Sequence, residues 1–184
     1  MKRLTALFLT LMLCFALCAC KKNNPSPAQT ATNAECTEQE LLTLIEQNAD
    51  CYHFFYVKPL EHTTQQNSDG YMGVAPGVFP DYQSLKTYVT DTYTKSCAEE
   101  LLNYPSKDAP LYKEAGGGFF VNPDVKGNPS YALMWNEVSV TITKSTKSEC
   151  SFDVATYAND GSKYNTSGKA FYENGKWRLA NLIY

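Results

Sequence analysis

The hydrophobic pattern of this chain changes period near Pro105, and that change limits the fold more than any other feature of the sequence. Up to that point the apolar residues follow helical spacing; beyond it they alternate with polar ones. Thr37 to Val57 predicts a first helix. Thr37 and Glu40 have the spacing of a capping box, Leu41, Ile45, Asn48 or Ala49, and Tyr52 recur on one face, and Pro59 ends the run. Glu61 to Asp81, which holds Gly70, Gly73, Pro76, Gly77 and Pro80, reads as a long loop or irregular hairpin. A short second helix is expected from Tyr82 to Thr90, capped by Asp81 or Ser84. A third is expected from Thr94 to Tyr104, with Ser96 and Glu99 as a second capping box.

The second half reads as strands. Leu111 to Lys113 and Phe119 to Val121 flank Gly116, Gly117 and Gly118 as a hairpin, and Asn122 to Leu133 is loop-like, with Pro123, Gly127 and Pro129. Val138, Val140 and Ile142 alternate with Ser139, Thr141 and Thr143, the signature of a half-buried strand. Cys150, Phe152 and Val154 mark a neighbour, Lys169 to Tyr172 a third strand, and Trp177 with Leu179 a fourth. Asp160-Gly161 and Asn174-Gly175 read as turns, the latter a two-residue hairpin loop. The expectation is a single α+β domain over 37–184, with N-terminal helices packed on one face of a curved antiparallel sheet. Leu41, Ile45, Val140, Ile142, Phe152, Val154, Trp177 and Leu179 are its expected core.

Ahead of that domain, Met1 to Cys20 has the form of an export signal. Lys2 and Arg3 supply the positive end, and Leu4 to Leu17 an apolar stretch too short to span a bilayer comfortably. Leu17-Cys18-Ala19-Cys20 resembles a bacterial lipobox, so residues 1–19 are expected to be removed and Cys20 to be lipidated. Cys18 does not fit, because Leu17 before it is too large. Residues 20–36 are then a lipidated N-terminus and a polar tether free of aromatics. Such a chain sits on the extracytoplasmic face of the cell membrane, held by its lipid alone. Its 43% hydrophobic and 19% charged content suits a folded globule. Net charge is −3, and −5 once Lys2 and Arg3 are removed, which argues against nucleic-acid binding.

Candidate chemistry in the domain is sparse. Cys36, Cys51, Cys97 and Cys150 permit disulfides in an exported chain. Cys36 and Cys51 would lie about 22 Å apart along one helix at 1.5 Å per residue, beyond bonding reach. That leaves Cys36 with Cys97 or Cys150 and Cys51 with the other, or four buried thiols. Cys51 and His53 would point to opposite sides of a helix and cannot share a proton. His62 could approach either, but no oxyanion hole or orienting group can be placed beside it. The triple glycine precedes a strand rather than a helix bearing Lys and Ser or Thr, so it is a turn and not a phosphate cradle. Nothing in the sequence points to a metal site, a cofactor or catalysis.

Three segments carry a family likeness: DYQSLKTYVTDTYTKSCAEELL from Asp81, LYKEAGGGFFVNPDVKG from Leu111, and YENGKWRL from Tyr172. In that order they resemble the IseA family of exported inhibitors of bacterial D,L-endopeptidases, over about Cys36 to Leu182. The resemblance implies a non-catalytic protein that blocks peptidoglycan-cutting NlpC/P60 domains by presenting a loop to their substrate cleft. The loop from Asn122 to Leu133 is the first choice for that contact, through Asp124, Lys126, Asn128 and Tyr131, because Pro123 and Pro129 restrict its unbound conformations. Tyr71, Met72 and Phe79 are the alternative surface. The other reading is an envelope lipoprotein of NTF2-like or cystatin-like shape that binds a small ligand or a protein in the concavity of its sheet.

The lipobox is directly testable. Mass spectrometry of the native N-terminus should find acylated Cys20, and Cys20→Ser should release the protein from the membrane fraction. An unlipidated N-terminus, or membrane retention of the variant, would overturn the assignment.

Overall fold

The computed structural model describes residues 35–129, 133–158 and 160–184; the leader, Cys20 and most of the tether lie outside them. Helix α1, Glu38–Tyr52, begins at the expected capping box. Thr37 Oγ1 accepts from the Glu40 amide at 3.2 Å, and the Glu40 carboxylate accepts from the Thr37 amide at 3.0 Å. Its buried face is Leu41, Leu44, Ile45, Asn48, Cys51 and Tyr52. The last turn widens into a π-helical turn, His53–Val57. Widening leaves carbonyls for partners from elsewhere: Phe54 O accepts from the Tyr112 hydroxyl and Tyr56 O from the Asn128 amide, each at 2.8 Å.

The segment read as a loop or irregular hairpin is a hairpin of β1, His62–Gln66, and β2, Met72–Val74, with a register shift along β1. Helices α2, Tyr82–Thr92, and α3, Lys95–Leu102, follow. Asp81 caps α2, accepting from the Ser84 amide at 2.7 Å. The second capping box does not form. Ser96 lies inside α3, whose N-cap position is Thr94 and carries no side-chain cap.

Strands β3, Tyr112–Ala115, and β4, Gly118–Val121, pair around Gly116 and Gly117, both at positive φ as the two-residue turn requires. The remaining strands are β5, Leu133–Ser145, β6, Glu149–Ala158, β7, Lys163–Glu173, and β8, Lys176–Leu179. Asn174 (φ 52°) and Gly175 (φ 83°) turn β7 into β8.

The domain is α+β, but its strands form two antiparallel sheets rather than one. Their orders are β1-β2-β4-β3 and β5-β6-β7-β8. The expected order of all helices before all strands therefore fails at β1 and β2. His62–Gln66 is almost wholly exposed and polar, and β2 is three residues long, so neither carries a readable alternation. Strand β7 also begins six residues earlier than Lys169, pairing with β6 from Tyr157 opposite Lys163 to Glu149 opposite Phe171. Register shifts interrupt β5 against β6 between Met134 and Ser139 and between Ile142 and Lys144. Gly168 lies opposite Phe152, and a Cβ there would meet Phe152 Cζ at 2.6 Å and Ile183 Cδ1 at 2.7 Å. The glycine thus makes room for the ring.

The helices touch both sheets: α1 packs on β5 and β8, and α2 on β8, β3 and β4. Seven of the eight expected core residues are buried, and Ile142 is half-buried against them. Arg178 joins α2 to the end of the second sheet, donating to Thr90 O at 2.8 Å and to Glu173 O. Deeper in, fully buried Asn48 donates to Ile183 O at 2.8 Å and accepts from the Ile183 amide and from the Tyr93 hydroxyl, both at 2.9 Å.

Asn48→Ala would leave those three groups without their partner in the core. At about 1–3 kcal/mol for an unsatisfied buried group, the loss should reach about 3 kcal/mol or more by urea unfolding. A loss under about 1 kcal/mol would show that the Asn48 side chain does not hold the segment.

Candidate functional site

The groups that most invite a catalytic reading are kept apart. Cys51 is 1% exposed and faces Tyr93 and Cys97, whereas His53 is exposed and its ring meets Phe54 edge-on. Burial pushes the Cys51 thiol up to about 12, so a thiolate there is scarce near neutral pH. His62 lies exposed on β1, its Nδ1 3.0 Å from Thr63 O. Among the described residues no three His, Cys, Asp or Glu side chains are grouped to hold a metal ion.

All four cysteines of the folded unit are buried thiols. Cys36 lies beside Cys150 and Cys51 beside Cys97, with no disulfide in either pair. Burial raises Cys36 first, and the Cys150 contact adds to it; burial also lifts Cys97 to about 11.

The loop after β4 is stapled down along part of its length. Asn122 donates its amide to Leu111 O at 2.8 Å and accepts from the Asp124 amide at 3.0 Å. Gly127 lies so close to the Val57 carbonyl that a Cβ would collide with backbone, and the Asn128 amide is bound to Tyr56 O. Asp124, Lys126 and Asn128 are exposed on this staple, with Lys126 Nζ donating to Pro123 O. Tyr131, expected to be its apolar anchor, lies outside the described residues.

The alternative surface is corrected by the structure. Tyr71 and Phe79 are each 7% exposed, and Met72 is half-buried within β2, opposite Val121. The Tyr71 hydroxyl donates to Pro110 O at 2.9 Å, and Lys113 Nζ sits 3.8 Å from its ring centroid. Lys113 also meets Asp69 at 2.6 Å and holds that carboxyl below the usual range, which fastens the β1–β2 turn to β3. Phe79 packs edge-on against Phe54 and Tyr88, at 5.7 and 5.4 Å between centroids.

What this segment presents outward is Val78. It is 66% exposed, one of two large hydrophobic side chains so placed among the described residues, the other being Tyr184. Its loop is held at both ends: the Ala75 amide donates to Glu61 O at 2.7 Å, and Asp81 is committed to capping α2. Pro76 and Pro80 stiffen it, and a notch of about 260 Å³ lies beside it, between the loop and residues 58–61. Sequence reasoning chose the larger aromatics and missed Val78. The available signal was an apolar residue directly before a phenylalanine in a proline-bracketed turn, where one side chain of the pair must face solvent.

No protein-family model matches the chain, and no curated protein matches it.

The buried thiols set a pH dependence. Groups whose folded pKa is raised favour the folded state below the unfolded thiol value, about 8.5. That contribution is lost as the pH rises toward the folded values of about 11 and 12 for Cys97 and Cys51. Between pH 8 and 10 the urea midpoint should therefore fall. Iodoacetamide at pH 8 should label the peptides bearing these four cysteines slowly in native protein and quickly in urea. Rapid native labelling would contradict the burial.

Proposed function

We propose that the chain is an exported, lipid-tethered, non-catalytic protein that binds NlpC/P60-type peptidoglycan D,L-endopeptidases and inhibits them by filling the substrate cleft with a loop. The observation that carries this reading is the Ala75–Pro80 loop. Its tip residue Val78 projects into solvent while the adjacent Phe79 is sunk between Phe54 and Tyr88. A loop whose conformation is already determined loses little entropy when it enters a cleft, and an apolar tip gains by leaving water. The stapled loop bearing Asp124, Lys126 and Asn128 is the second contact, able to supply charge around the apolar centre.

The alternative of a ligand held in an apolar cavity in the concavity of the sheet has less support. The aromatics that would line it, Phe55, Tyr93, Tyr112, Phe152 and Trp177, are buried in the packed core. Among the described residues no helix is long and apolar enough to cross a membrane, and the tether through Cys20 remains part of the proposal.

An inhibition assay on a purified NlpC/P60 endopeptidase tests the reading. Val78→Asp should weaken inhibition roughly 10-fold or more, as expected for loss of an apolar anchor, with no change in unfolding midpoint. Asp124→Ala should cost less. Full inhibition by the Val78 variant would remove this loop from the mechanism, and failure of the parent protein to inhibit any such enzyme would remove the function.

A further inference from the structure

On another part of the surface, α3, β7 and the C-terminal segment enclose a cleft of about 610 Å³. A second hollow of about 360 Å³ shares Tyr56, Leu182 and Tyr184 with it and adds Tyr52. The larger one lies within the roughly 300–1,000 Å³ range of small-molecule sites. We propose that this cleft binds a neutral saccharide, with a sugar ring lying on Tyr184 and its hydroxyls meeting the polar groups of α3, β7 and Asn181.

The aromatic side of the cleft is already assembled. Tyr184 stacks on Tyr52 with centroids 5.7 Å apart and planes 11° apart, and Tyr52 stacks on Tyr56 at 5.7 Å and 20°. The Tyr164 hydroxyl donates to Tyr184 O at 2.7 Å, which fixes the backbone of that residue. Tyr184 nevertheless remains 63% exposed. A ring held on one side and open on the other suits the C–H face of a pyranose, and its ordering cost is already met within the fold.

The polar side carries both hydrogen-bond roles, with the Ser96 and Thr166 hydroxyls and the second amide hydrogen of Asn181 as donors. Ser167 commits its hydroxyl proton to Asp153 at 2.7 Å, and Asn181 commits an amide hydrogen to Leu182 O at 2.8 Å. The Ser167 oxygen and the Asn181 carbonyl are left as acceptors, beside the exposed Glu100 carboxylate. A ligand that satisfies such a wall must both donate and accept at several points, as the hydroxyls of a sugar ring do. An anion is disfavoured because neither Lys nor Arg lines either hollow. An apolar ligand would strip water from these acceptors and return nothing. A cation would meet the Glu100 carboxylate, which makes it the outcome to test against.

The site is argued from this cleft alone and does not depend on the Val78 loop, so either proposal can fail without the other. Calorimetric titration of the full chain in a sugar-free detergent would use tri-N-acetylchitotriose, maltotriose and the diamine cadaverine as probes. Saturable binding of at least one trisaccharide is expected, weakened at least 10-fold by Tyr184→Ala and at least threefold by Glu100→Gln. The proposal is overturned if neither trisaccharide binds, if only cadaverine binds, or if both variants bind like the parent. Should Tyr184→Ala lose its cooperative unfolding, Glu100→Gln decides, because that change on the exposed face of α3 removes charge and keeps shape.

Discussion

One buried amide holds the parts of this domain in their relation. Asn48 treats Ile183 as a neighbouring strand would, donating to its carbonyl and accepting from its amide, and the same oxygen also receives the Tyr93 hydroxyl. Tyr93 is the residue between α2 and α3, and it bridges to Leu179 at the end of β8. A single side chain on α1 therefore fixes the C-terminal segment, the helical corner and the end of the second sheet together. Among residues this deeply buried, such a set of bonds is valuable only while complete. The Tyr184 stack and the cleft beside it are downstream of that anchor.

The neighbouring π turn performs the same service for the first sheet and the loops around it. Its Phe54 and Tyr56 carbonyls are met by Tyr112 on β3 and by Asn128 in the loop after β4. Tyr112 also accepts from the Leu60 amide at 2.8 Å, so the chain leaving α1 is held by the strand it runs beside. Phe54, projecting from the same turn, is one of the two rings that seat Phe79. The exposure of Val78 thus traces back to a local widening of a helix some twenty residues earlier in the sequence.

Those relations explain which parts of the molecule were legible in the sequence. The Thr37 capping box, the alternation of Val138 to Ile142, and the two hairpin turns at Gly116-Gly117 and Asn174-Gly175 are determined by a few adjacent residues, and they form as read. Strands β1 and β2 escaped because His62–Gln66 owes its structure to pairing, not to an apolar pattern of its own. The Ser96 box failed because its start had already been overtaken by a helix beginning at Lys95. At the candidate surface, composition marked the correct segment but not the side chain. Whether Phe79 or Val78 faces solvent depends on Phe54 and Tyr88, both remote in sequence, so no local rule could choose between them.

The irregularity of β5 has a consequence beyond this fold. It is a thirteen-residue strand at the edge of its sheet, and its outer side is the sort of long, open ladder that invites another chain to add itself. Two register shifts in its pairing with β6 mark bulges that bend and twist the strand, so the spacing an incoming strand would need is not maintained along its length. Any two copies that meet edge to edge would present such strands to each other. The bulges let the protein keep an extended edge without offering a template for polymerisation.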